Sequence, residues 1–162
     1  MRKLLFTLTL FLSILSAMPA GAQTITRPMP RMTVGLGAGY VSRNNGAYAD
    51  VYFQYLFMRY LRAQADVGYS FRSKDKAAFL VNVDLQVPMK MTRGLNFFPL
   101  VGFSYQNWNL DGDVNHSRAG LNMGGGIELN FTPQLKVSIQ GKYTLMKDYG
   151  SAFVGAGIGY KF

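Results

Sequence analysis

The residues with the strongest claim to chemistry are His116, Ser117 and, downstream, Glu128. Imidazole, hydroxyl and carboxylate are the groups of a hydrolytic nucleophile: the ring takes the hydroxyl proton and the acid orients the ring. The spacing opposes that assembly. His116 and Ser117 are adjacent, so on an extended strand they point to opposite faces. Glu128 lies eleven residues beyond Ser117, too far along a strand to reach the imidazole. A second constellation, Asp111-Gly112-Asp113-Val114-Asn115, opens like a calcium loop. It then places His116 where the turn needs glycine, and Asn122 where the loop closes on glutamate. With one histidine and no cysteine, no metal site is expected. Gly35-x-Gly37-x-Gly39 and Gly155-x-Gly157-x-Gly159 have the spacing of phosphate loops, but no helical period follows either run. No cofactor is expected.

These residues need elements to hold them, and the composition narrows which. The chain has 162 residues, net charge +9, 15% charged and 14% aromatic residues, and 18 glycines. One domain with a sizeable core fits that length. The absence of cysteine removes disulfides and thiolate chemistry. Arg2 and Lys3, the apolar run Leu4 to Ala17, and Ala20-Gly21-Ala22 read as a cleaved secretory leader over residues 1–22. Loss of the leader lowers the net charge to +7. Residues 23–32, with Pro28 and Pro30, read as an extended lead-in.

From Thr33 onward one period dominates. Leu135, Val137, Ile139, Gly141, Tyr143 and Leu145 alternate with Lys136, Ser138, Gln140, Lys142 and Thr144. The same alternation predicts strands over 33–42, 48–58, 61–71, 77–87, 95–107, 119–131, 135–145 and 152–162. Turn-forming residues separate them, with a long polar connection expected from Trp108 to Ser117. The expectation is an all-β fold: an eight-stranded antiparallel up-and-down barrel over residues 33–162, closed because closure removes unpaired edges.

The apolar face must point outwards. A narrow barrel has little room for about five large residues per strand. The opposite face carries Asp50, Asp66, Asp84, Glu128, Arg62, Lys136 and Lys142, charges that a lumen would pair as a polar network. Aromatics on the apolar rows gather at both strand ends, with Phe57, Phe97, Phe131, Tyr160 and Phe162 at one. Tyr40, Tyr69, Phe71, Phe79, Tyr105 and Tyr143 lie at the other. Two such girdles mark a transmembrane β-barrel. The glycines Gly35, Gly37, Gly39, Gly155, Gly157 and Gly159 then line a lumen seam between the first and last strands, leaving room for long side chains opposite. The basic residues are divided among lumen and both rims, so no nucleic-acid face is expected.

The chain ends Ala156-Gly157-Ile158-Gly159-Tyr160-Lys161-Phe162, which resembles the terminal assembly signal of bacterial outer-membrane barrels, with Ile158, Tyr160 and Phe162 as its apolar positions. With the leader and eight strands, the chain resembles the small OmpX/OmpA-like barrels of the porin superfamily in Gram-negative bacteria. The resemblance implies a monomer in the outer membrane with both termini periplasmic. It also implies recognition by the barrel-assembly machinery and contact with membrane lipid and lipopolysaccharide. Arg43, Arg72, Lys74, Lys76, Arg118 and Lys147 then form an outer rim suited to lipopolysaccharide phosphates. A structural or surface-interaction role without catalysis is expected. Two alternatives are a narrow channel or small-ligand transporter along the glycine-lined lumen, and a hydrolase. The hydrolase rests on the likeness of the His116-Ser117 stretch, with Glu128, to lipid A deacylases, where one residue separates the histidine from the serine.

Overall fold

The computed structural model describes residues 31–43, 45–73, 76–110, 114–146 and 149–162. The leader over 1–22 and the lead-in as far as residue 30 lie outside these residues, as do Lys74, Asp111 to Asp113 and Lys147. Eight long strands form: β1 Met32–Val41, β2 Gly46–Met58, β3 Leu61–Ser73, β4 Lys76–Gln86, β5 Leu95–Leu110, β6 Val114–Asn130, β7 Leu135–Met146 and β8 Tyr149–Lys161. A two-residue piece, Met89–Lys90, prolongs the β4 side of the β4–β5 hairpin after Pro88 and pairs with Phe97 and Asn96. Proline lacks an N–H, so the ladder is interrupted there and resumes beyond it.

Each strand pairs antiparallel with the next, β1 pairs with β8, and the sheet closes into a barrel. The turns at the end that carries Arg31 and Phe162 are short: Arg59-Tyr60 between β2 and β3, and Phe131 to Gln134 between β6 and β7. The third connection at this end turns at Gly94, whose φ of 86° lies where a side chain would be strained. Its carbonyl accepts from the Asn130 amide at 2.7 Å, tying this turn to the end of β6.

The strands exceed the sequence expectation where hydropathy stops alternating. Of the long connection expected from Trp108 to Ser117, residues 108–110 and 114–117 are instead ladder: Asn107 pairs with Ser117, Trp108 with His116 and Leu110 with Val114. The lead-in likewise ends sooner than expected, since Met32 already pairs with Tyr55. Alternating hydropathy reports the lipid, whereas backbone pairing continues until the hydrogen bonds run out.

The two faces separate cleanly. Leu36, Val51, Val67, Val83, Phe103, Ile127, Ile139 and Val154 are exposed on the outer wall, and so are all eleven aromatics of the two girdles. Inside lie the polar residues, with Tyr52, Phe98, Leu100 and Trp108 among the buried apolar ones.

Candidate functional site: the barrel lumen

Strand alternation delivers one side chain in two to the lumen, and tilt stacks those from different strands into layers. In the layer nearest the short turns, Arg62 of β3 meets Glu128 of β6 at 2.6 Å, and Lys136 of β7 reaches the same carboxylate oxygen at 3.2 Å. Asn96 of β5 donates to the other Glu128 oxygen at 2.9 Å. The Arg62 guanidinium also donates through Nε to Gln86 at 2.7 Å and lies over the Phe98 ring. In the middle layer Lys142 of β7 sits 3.4 Å from Asp66 and 3.2 Å from Asp84. Asp50 is buried too, but belongs to neither set of ion pairs.

Neutral amides join the two layers. Lys136 donates to Gln54, Gln54 to Gln64 at 2.6 Å, and Gln64 to Asp66 at 3.0 Å. Asn82 donates to Asp66 at 2.5 Å. Asn122 donates to Asp84 at 2.8 Å and accepts from the Thr144 hydroxyl at 2.8 Å. Sequence reasoning did not single out these amides, although they share the period-two rows of the charges. An amide is donor and acceptor at once, so it can pass a hydrogen bond from one charged cluster to the next. Towards the far end the lumen turns apolar, where Val41, Tyr48, Ala78, Leu80, Trp108 and Phe153 pack together and the Arg43 guanidinium lies 4.7 Å from the Trp108 ring centre.

The glycine seam is direct. Gly35 pairs with Gly159, Gly37 with Gly157 and Gly39 with Gly155 across β1 and β8. Neighbours fill the space that side chains would take: the Tyr52 ring at Gly35 and Gly159, the Asp50 carboxylate at Gly37 and the Phe153 ring at Gly155. Against the seam remains a void of about 10 Å³, at the lower limit for one water. At Gly39 the obstruction is backbone alone, because a Cβ there would meet Val154 O and Gly155 Cα of β8. Gly39→Ala is therefore expected to destabilise the barrel by about 1–3 kcal/mol. Gly141→Ala, whose Cβ meets nothing nearer than Phe153 O at 3.9 Å, should stay within about 1 kcal/mol of the parent. Urea titration of the refolded barrel in vesicles measures both, and equal effects would contradict the close approach at Gly39.

This wall of lipid-facing rows around a polar interior has a match among known families. Residues 7–162 match the model of the outer membrane protein beta-barrel domain. The chain belongs to that family. Its place is the bacterial outer membrane. No curated protein matches the sequence. Among solved structures, the N-terminal β-barrel domain of Pseudomonas aeruginosa OprF superposes with a TM-score of 0.68 at 18% identity, covering 80% of this chain and 97% of that one. Neisserial surface protein A gives 0.66 at 15% identity, with 81% and 96% covered. The outer membrane enzyme PagL shares the barrel at a TM-score of 0.54 and 11% identity, with 78% and 97% covered.

Within this outer-membrane barrel the triad candidates stay apart. His116 and Ser117 stand in β6 opposite Trp108 and Asn107, at the end far from the short turns. Glu128 pairs with Arg62 and Lys136 at the other end. Eleven residues at about 3.3 Å each put some 36 Å between Ser117 and Glu128. Ile158, Tyr160 and Phe162 are exposed on the outer wall, the last two stacked at 6.4 Å between ring centres. Of the rim cations, Arg43 is turned over Trp108 and Arg118 is half-buried on β6. Arg72 and Lys76 are at the far ends of β3 and β4.

Proposed function

We propose that this protein is a structural or surface-interaction barrel with a plugged lumen, no catalytic activity and both termini on the periplasmic side. The observation that carries the reading is the continuous hydrogen-bonded chain through the lumen. It runs from Glu128 and Lys136 through Gln54, Gln64 and Asp66 to Asn82, Asn122 and Thr144, and is capped by the Trp108 cluster. An ion crossing such a lumen would have to break paired buried charges, which costs several kcal/mol each. Interaction then falls to the outer wall and the far rim, where basic side chains would suit lipopolysaccharide phosphates.

Planar-bilayer recording tests the plug. Reconstituted protein is expected to give no stable unitary openings. Openings that persist and vanish on Gly157→Phe, at the seam void, would establish the channel reading instead. The same cells report on hydrolysis: lipid A mass spectra with and without the protein should be identical, and a lost acyl chain would restore the deacylase reading.

A further inference from the structure

The end of the barrel with the short turns opens into a cavity that the plug does not fill. Its volume is about 310 Å³, at the low end of the roughly 300–1,000 Å³ typical of small-molecule sites. Six cations line it: Arg31, Arg59, Arg62, Lys90, Lys136 and Lys161. The one acidic residue in the lining is Glu128. That carboxylate is already shared, since Arg62 and Lys136 both close on the same oxygen. Arg62 is 5% exposed, and although its Nε and Nη1 are paired, Nη2 has no hydrogen-bond partner. The Lys161 ammonium has only a neutral Asn130 oxygen among its described partners, at 2.6 Å. Arg31, Arg59 and Lys90 stand exposed around the mouth.

Six like charges converging on one concave space repel one another, and low-dielectric walls focus that field into the opening. One carboxylate does not balance them. A halide would offer these donors a single point of attachment, whereas a phosphate oxyanion offers several acceptor oxygens to donors arriving from several sides. Arginine forks suit tetrahedral phosphate oxygens in particular, because they donate two parallel hydrogen bonds. We propose that this vestibule is a binding site for the phosphate or pyrophosphate group, with Arg62 and Lys136 as its floor and Arg59, Lys90 and Arg31 as its rim. The group could be supplied free in solution or as the headgroup of an anionic phospholipid. The site depends on the fold alone, so its test is independent of whether the lumen conducts.

The test uses the protein purified from outer membranes in a neutral detergent. Inorganic pyrophosphate is titrated in by calorimetry at 50 mM and 200 mM salt. A parallel arm adds phosphatidylglycerol, with phosphatidylcholine as control. Saturable pyrophosphate binding that weakens with salt, and weakens at least tenfold in the Arg59→Gln/Lys90→Gln double variant, is the expected result. Binding of phosphatidylglycerol alone, with the same loss in the variant, supports the site and assigns its source to lipid. Both substituted residues are exposed, so the variant should keep the heat-modifiable gel shift of the folded barrel. A Lys136→Gln variant provides a second reading from the floor. Absence of saturable binding in both arms overturns the proposal, and so does equal affinity in parent and folded double variant.

Discussion

Lys142→Met is expected to cost about 3–5 kcal/mol, the penalty for removing one partner from a buried ion cluster. The ammonium lies 3.4 Å from Asp66 and 3.2 Å from Asp84, and both carboxylates are shielded from solvent, as is Lys142 itself. Methionine keeps much of the volume but leaves two like charges facing each other in the middle of the lumen. Their remaining donors are neutral: Tyr48, Asn82 and Gln64 for Asp66, and Asn122 for Asp84. Those donors stabilise one carboxylate each but do not offset the repulsion between two. Adding Asp66→Asn and Asp84→Asn to the same chain removes the charges with the cation and should recover most of the loss. Urea unfolding in vesicles reads the difference. A single variant within about 1 kcal/mol of the parent would mean that water reaches these acids, and the plug would have to be abandoned with it.

That cluster also shows how far the sequence reaches. Lys142, Asp66 and Asp84 are visible as members of the polar rows opposite the apolar ones, because period two assigns every residue of a long strand to one of two faces. Which charges meet depends on stagger between strands. Lys142 and Asp66 are 76 positions apart and on strands that are not adjacent. No local spacing encodes that meeting. Gln54, Gln64 and Asn122 were harder still, since an amide in a polar row looks like any other hydrophilic residue until its two partners are in place. The glycine seam is the opposite case. Gly35, Gly37 and Gly39 repeat at every second residue, as do Gly155, Gly157 and Gly159, and closure of an up-and-down barrel makes the first and last strands neighbours.

The cationic vestibule was legible only in pieces. Arg31, Arg59 and Lys90 sit in or beside turns, where a basic residue is unremarkable as a solvated group. Arg62 and Lys136 read as lumen charges with partners of their own. The common space appears only when the short turns are drawn around one opening, and the excess charge only when Glu128 proves to be shared.

The outward assignment of the apolar rows makes the second strong prediction. Phe103 is 70% exposed near the middle of β5, paired in register with Val83 and Leu121 of the flanking strands. Phe103→Arg is expected to destabilise the barrel by about 2–4 kcal/mol, because it puts a cation at the depth of the hydrocarbon. Phe131, exposed at the short-turn end, lies in the aromatic girdle, and Phe131→Arg should cost only about 0–1 kcal/mol there. The two substitutions are chemically identical, so the difference isolates depth in the membrane. Ser104, the next residue, is buried in the lumen, so a shift of one position would reverse which side chain meets lipid. Urea titrations of both variants in vesicles give the ordering. If Phe131→Arg proved the more damaging, β5 would be set at another depth, and a negligible effect at Phe103 would place that face against water.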